Sequence, residues 1–113
     1  MGYEKVSIVG SAEKMKTPWT QLRMGSIEDY DVKLAVYSGE YNLHVHERHD
    51  EFIYVLTGNV HIVIENEDIA LGPGDGIFVR KGTPHKSRCS GRAEVMLFEK
   101  ETIMDDYVRL DER

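Results

Sequence analysis

The sequence predicts an antiparallel all-β sandwich or barrel, and three observations carry that prediction. Its apolar runs are short and rich in β-branched and aromatic residues. Turn signals recur at Gly39, Gly58, Gly72–Gly76, Gly82–Pro84 and Ser90–Gly91, the spacing of a meander of short strands. No stretch repeats its apolar residues at the 3.6-residue period of an amphipathic helix. At 113 residues the chain has room for one core and one domain.

Taken from the N-terminus, Lys5–Val9 reads as a strand, and residues 10–31, with Lys14, Lys16, Pro18 and Trp19, read as a loop or covering segment. Lys33–Ser38 (KLAVYS) and Leu43–Val45 are predicted strands. The best-patterned stretch is 52–65, FIYVLTGNVHIVIE, in which Phe52–Leu56 and Val60–Ile64 are separated by Thr57-Gly58-Asn59. That arrangement predicts a β-hairpin. His61 alternates with Val60, Ile62 and Ile64 and so faces away from them. Gly72-Pro73-Gly74-Asp75-Gly76 leads into a strand at Ile77–Arg80 rather than a helix, so it is a turn and not a phosphate cradle. A further strand follows His85, and Ala93–Glu99 (AEVMLFE) forms another. Met104–Arg113 is charged and reads as a frayed tail or a short helix.

Composition narrows the function classes. Hydrophobic residues at 41% and charged residues at 30% describe a folded globular chain. Fourteen basic against twenty acidic residues, a formal charge of −6, argue against nucleic acid and against an anionic membrane surface as partners. No apolar run is long enough to span a bilayer as a helix. The single cysteine, Cys89, cannot form an internal disulfide, and no secretory signal opens the chain, so a cytoplasmic location is expected.

The chemistry concentrates in His44-Val45-His46-Glu47-Arg48-His49-Asp50-Glu51. Residues two apart on a strand face the same way, with Cα atoms roughly 6.5–7 Å apart. His44 and His46 can therefore aim both imidazoles at one ion. Glu51 opens the next strand, and His85, after the Gly-Thr-Pro turn, closes the site from a third. Three imidazoles and a carboxylate suit Fe(II), Mn(II), Ni(II), Cu(II) or Zn(II). The helical zinc signature His-Glu-x-x-His does not fit, because only Arg48 separates His46-Glu47 from His49. The competing reading is a set of solvated or hydrogen-bonded strand histidines.

These residues resemble the two motifs of the cupin superfamily, small double-stranded β-helix, or jelly-roll, barrels. His44, His46, Glu51 and Gly58 match the first motif, with four residues before the glutamate and Gly39 one residue closer than usual. Gly74, Gly82 and His85 match the second, with Arg80 where proline is usual and Cys89 where asparagine is usual. The resemblance covers about residues 33–99 and is similar to the short single-domain cupins loosely named phosphomannose-isomerase-like. It implies one domain over 1–113, with 1–32 an N-terminal strand and covering segment and 104–113 a tail. It also implies one divalent metal ion per chain on His44, His46, Glu51 and His85.

The expected function is a metal-dependent enzyme acting on a small polar organic molecule such as a carbonyl, sugar or diol compound, by isomerase-type or dioxygenase-type chemistry. The alternatives are a binding or sensor cupin without turnover and a structural barrel without metal. Ile53, Val55 and Phe78 are the expected apolar walls. Tyr41 and Tyr54 are candidate phenol donors, and Glu40 and Asn42 share the face of His44 if its strand extends back. Ser87 and Cys89 follow His85 inward by alternation, with Cys89 a small apolar filler. Arg80 and Lys81 lie on a solvated loop or meet an anionic substrate, and His49 and Asp50 occupy an exposed turn, with His49 the substitute ligand. By analogy with the family, a homodimer is expected, with the N-terminal strand pairing across a two-fold.

Overall fold

The computed structural model describes residues 2–111. Its elements in chain order are a helix Ile8–Glu13 (α1) and strands Gln21–Ile27 (β1), Tyr30–Glu40 (β2), His44–His46 (β3), Glu51–Thr57 (β4), Val60–Ile64 (β5), Glu67–Leu71 (β6), Gly76–Val79 (β7) and Lys86–Lys100 (β8). A 3-10 turn Ile103–Asp106 then leads into Tyr107–Arg109 (β9).

One strand organises the rest. Along one side of β8 runs β2, from Tyr30 opposite Lys100 to Glu40 opposite Arg88. Along the other side run β4, from Glu51 opposite Glu99 to Thr57 opposite Glu94, and then β5, from His61 opposite Arg88 to Val63 opposite Lys86. The order β1-β2-β8-β4-β7 makes the larger sheet, and β5 carries β6 on its outer side. The two-stranded β3-β9 ladder joins β8 through a bridge between His44 and His85. All these pairings are antiparallel, and the result is the all-β jelly-roll barrel that the sequence predicts.

Phe52–Leu56 and Val60–Ile64 do not form a hairpin. Both runs pair with β8 in the same direction, so Thr57-Gly58-Asn59 is a kink in one long path and not a reversal. Gly58 makes the kink possible. Its φ is +83°, and a Cβ there would lie 2.5 Å from the carbonyl oxygen of Arg92. The two strands expected after His85 are likewise one 15-residue strand, in which Ser90-Gly91 lies within a bulge: the partners of Tyr37 and Gly39 are Ala93 and Cys89.

The N-terminal expectations change more. Lys5–Val9 is not a strand. Ser7 caps α1 by accepting a hydrogen bond from the Gly10 amide, and the place beside β2 that an N-terminal strand would take belongs to β1. The segment read as loop or cover splits, with Trp19 in a covering stretch and Gln21–Ile27 hairpinned onto β2 through Glu28 and Asp29. The C-terminal segment from Met104 onward, expected as tail or short helix, contributes most of a 3-10 turn and a paired strand; Glu112 and Arg113 lie outside the described residues.

The core lies between the sheets. Ile53, Val55, Val60, Ile62, Val95 and Leu97 are each at most 2% exposed, and full burial of such a side chain stabilises by roughly 1.5–3 kcal/mol. On the outer face of β2, Leu34 and Val36 are buried as well. Arg92 ties α1 to the barrel by donating to the carbonyls of Ala12 and Met15.

Candidate metal centre

The three strands converge on one point because of backbone pairing. His44 and His85 exchange both amide hydrogen bonds, His44 N to His85 O at 3.0 Å and His85 N to His44 O at 2.9 Å. Glu51, the first residue of β4, lies opposite Glu99 of β8, and directly opposed residues share a face. His44, His46, Glu51 and His85 are all buried, at 5%, 7%, 8% and 2% exposure. Donor atoms of His44, Glu51 and His85 lie within 4.8 Å of one another, a group able to hold one metal ion. His46 lines the same cavity, with its ring 5.2 Å from that of His44 and 6.3 Å from that of His85.

Each imidazole is oriented by a backbone carbonyl. His44 Nδ1 donates to Asn42 O at 2.9 Å, His46 Nδ1 to Ile103 O at 3.0 Å and His85 Nδ1 to Thr83 O at 3.0 Å. With the proton held at Nδ1, a neutral ring offers its Nε2 lone pair, the arrangement found around protein-bound metals. Burial lowers the His44 pKa to about 4, which keeps that ring neutral.

Between His85 and Glu51 the donor atoms face each other, Nε2 to Oε1 at 3.1 Å. Burial opposes a charge on His85, but the hydrogen bond and charge of Glu51 outweigh it and raise the pKa. Burial also works against ionised Glu51, and hydrogen bonds from His85 and Glu99 bring it down to about 2. Glu99 goes the other way, to about 8, through burial and the neighbouring Glu51 carboxylate. Lys33 Nζ donates to Glu99 Oε1 at 3.0 Å from the opposite side. The two carboxyls therefore titrate as a pair, with ionisation favoured at Glu51 and opposed at Glu99.

A cavity of about 70 Å³ opens onto these groups, and Trp19, Tyr37, Tyr41 and Tyr107 form its aromatic side. Tyr107 stacks on His44 with centroids 5.0 Å apart, and its hydroxyl donates to Asn42 Oδ1. Tyr41 meets His44 edge-on at 5.4 Å, and Trp19 lies 4.4 Å from Tyr37.

Several expected site residues find other places. Ile53 lines the cavity, but Val55 belongs to the core behind it, and Phe78 is 60% exposed on the outer face, opposite Phe52. Tyr41 lines the cavity, whereas Tyr54 shares the outer face with Phe52. Asn42 holds His44 through its carbonyl, while Glu40 points to an outer cleft beside Lys86. Ser87 is in the cavity wall and Cys89 in the core. Arg80 lies over the Phe78 ring and pairs with Asp50, away from the centre. His49 is not a solvated turn residue: it bonds Asp106 through Nδ1 and Thr102 through Nε2. Glu99 is absent from the motif-based site, although alternation with buried Ala93, Val95 and Leu97 marks it as inward-facing. Trp19 and Tyr107 carry no comparable signal, since they reach the site from outside the motifs.

The Cupin domain family matches residues 32–99. The protein YdbB of Bacillus subtilis (strain 168) is 31% identical over 83 residues, which span 73% of this chain and 74% of that protein. A cupin-2 domain containing protein from Shewanella frigidimarina superposes with a TM-score of 0.83 at 24% identity, covering 85% of this chain and 94% of the other. Hydroquinone 1,2-dioxygenase PnpCD, solved in complex with Cd2+ and 4-hydroxybenzonitrile, superposes with a TM-score of 0.70 at 16% identity, covering 84% and 71%. Both histidine-bearing motifs thus fold around one cavity within a matched segment longer than half the sequence, and the chain belongs to the cupin family.

Proposed function

We propose that this cupin holds one divalent transition-metal ion through His44, His46, Glu51 and His85 and acts as a metal-dependent enzyme on a small, oxygen-bearing organic molecule. The observation that carries the reading is the common orientation of the three imidazoles, each with Nδ1 tied to a carbonyl, around an ionised carboxylate. Fe(II), Mn(II), Ni(II), Cu(II) and Zn(II) all accept that donor set. Bound there, the ion supplies Lewis-acid or redox chemistry at the substrate oxygens.

The chain's own residues supply the rest. Tyr37, Tyr41, Tyr107, Trp19, Ile53 and Leu97 line the cavity and limit the access of bulk water to it. Glu99 lines the cavity beside the ligands, and in the metal-free chain burial and the Glu51 carboxylate raise its pKa to about 8. A group of that kind serves proton transfer to or from a bound substrate. Its place in the cavity wall beside the ligands suits the enzyme reading. The donor set alone is compatible with either isomerase-type or dioxygenase-type turnover.

The test is elemental analysis of untagged protein purified without chelator, beside a His46→Ala variant. Near-stoichiometric metal in the wild type and loss of tight binding in His46→Ala are expected. A wild type that stays metal-free after reconstitution, or a fully loaded His46→Ala, would overturn the assignment. Iron or manganese directs the next assay to dioxygen uptake, and zinc directs it to isomerisation.

A further inference from the structure

His46 differs from the other three ligands in what stands behind it. Its Nδ1 donates to Ile103 O at 3.0 Å, and the same nitrogen lies 3.4 Å from Asp106 Oδ1. Asp106 is 7% exposed, and its Oδ1 is a buried atom with no hydrogen-bond partner among the described residues. Its other oxygen is fully engaged, accepting from the Arg48 amide at 2.5 Å and from His49 Nδ1 at 2.9 Å. One half of the carboxylate thus latches the C-terminal segment to the turn after His46, and the other half faces His46 at a distance longer than a good hydrogen bond. A buried acceptor left in that condition has given up its hydration without a replacement, which destabilises the fold.

A ligating imidazole resolves that cost. When Nε2 binds a cation, the ring's remaining N–H becomes a stronger donor, and a carboxylate is a favoured partner for it in protein metal sites. Resting on the metal reading above, we infer that Asp106 is the positioning residue of His46, and that metal binding draws its Oδ1, now 3.4 Å away, in as a second acceptor of the Nδ1 proton beside Ile103 O and so clamps residues 102–109 over the site.

The placement of the segment makes the coupling direct. Ile103 and Asp106, the two groups near His46 Nδ1, belong to one 3-10 turn. The turn continues into β9, whose strand partner among the described residues is β3, the strand carrying His44 and His46. Tyr107 stacks on His44, and His49 Nε2 meets Thr102 Oγ1 at 3.0 Å to close the latch at its other end. By linkage, whatever metal contributes to holding the segment down, the segment returns as metal affinity.

The experiment uses the full metal-free chain and Co(II) alone as probe. Its readouts are the visible d–d band of the bound ion, the binding isotherm, and amide hydrogen exchange with and without Co(II). Loading is expected to slow exchange across 102–109 by about ten-fold or more relative to β5–β6. Asp106→Asn is expected to bind Co(II) roughly 10–100-fold more weakly, with a changed band and without the metal-dependent protection. An Asp106→Asn protein with wild-type affinity and band would overturn the inference and leave the metal centre standing. Unchanged exchange over 102–109 on loading the wild type would overturn it equally, even if the variant did not fold. A wild type that takes up no Co(II) would overturn both readings together.

Discussion

Replacing Glu99 by glutamine tests the electrostatic account of the centre most directly. Glutamine reproduces the proton-bearing form of the carboxyl: its oxygen can accept from Lys33 Nζ, now 3.0 Å from Glu99 Oε1, and its amide can donate toward Glu51. What it removes is ionisation. The Glu99 pKa rises from 4.5 to about 8 on folding, so between those values the folded chain keeps a proton that the unfolded chain has released. Stability from this group is therefore full below pH 4.5 and is lost as pH rises through 8. Each pH unit over which the folded chain keeps that proton is worth about 1.36 kcal/mol, so the wild type should lose on the order of a few kcal/mol over that interval relative to the glutamine variant. Urea unfolding of both metal-free proteins, in chelator, at intervals from pH 5 to 9 measures the difference. The two stability curves should diverge with rising pH, the variant lying above. Curves that stay parallel within about 1 kcal/mol would refute the claim that Glu99 carries the proton of the pair.

Two further outcomes are expected. Gly58→Ala should cost at least about 2 kcal/mol in urea unfolding, because alanine at φ +83° is strained and its Cβ would meet the Arg92 carbonyl at 2.5 Å; an unchanged midpoint would remove the kink from the account of the fold. Metal uptake should release protons at pH values below the raised His85 pKa, because Glu51 favours the charged form of His85, which must give up its Nε2 proton to coordinate. Affinity should consequently weaken as pH falls below the raised His85 pKa, and titration calorimetry in buffers of different ionisation enthalpy would expose a proton-free reaction if the pairing were misread.

The sequence makes the barrel and three strand assignments around the histidines plain, since each depends on local alternation. What it hides is connectivity. Thr57-Gly58-Asn59 carries the composition of a hairpin turn, yet β4 and β5 both lie along β8, and the composition of a kink and of a reversal is the same. Ser90-Gly91 misleads in the same manner, as a bulge within a long strand. β1 is illegible because only Met24 and Gly25 of its seven residues are even half-buried, so no alternation marks it. Phe78 takes the wrong face in the sequence reading for want of a partner: its register with Phe52 fixes it as outward, and register is a property of two strands. Asp106 illustrates a further limit. Its meaning comes from contacts 57 and 58 residues away in the chain, with His49 and Arg48.

The ligands divide according to what holds them. His85 directly precedes β8, His44 is bonded to His85 through both backbone amides, and Glu51 lies opposite Glu99 of β8. One strand therefore sets three donors, and a one-residue slip of any pairing would turn its donor to the other face. That shared dependence is why three side chains from distant parts of the chain meet within 4.8 Å before any ion is added. His46 sits two residues beyond the bridge, pairs with Tyr107 in a three-residue ladder, and takes its ring orientation from Ile103 O in the turn that precedes β9. A short ladder opens at lower free energy than the long pairings of β8. On the proposed metal reading, the centre would have a fixed part built into the barrel and a fourth position, His46, whose precision depends on the chain that follows β8, so changes in the C-terminal segment should move metal affinity without touching the two motifs.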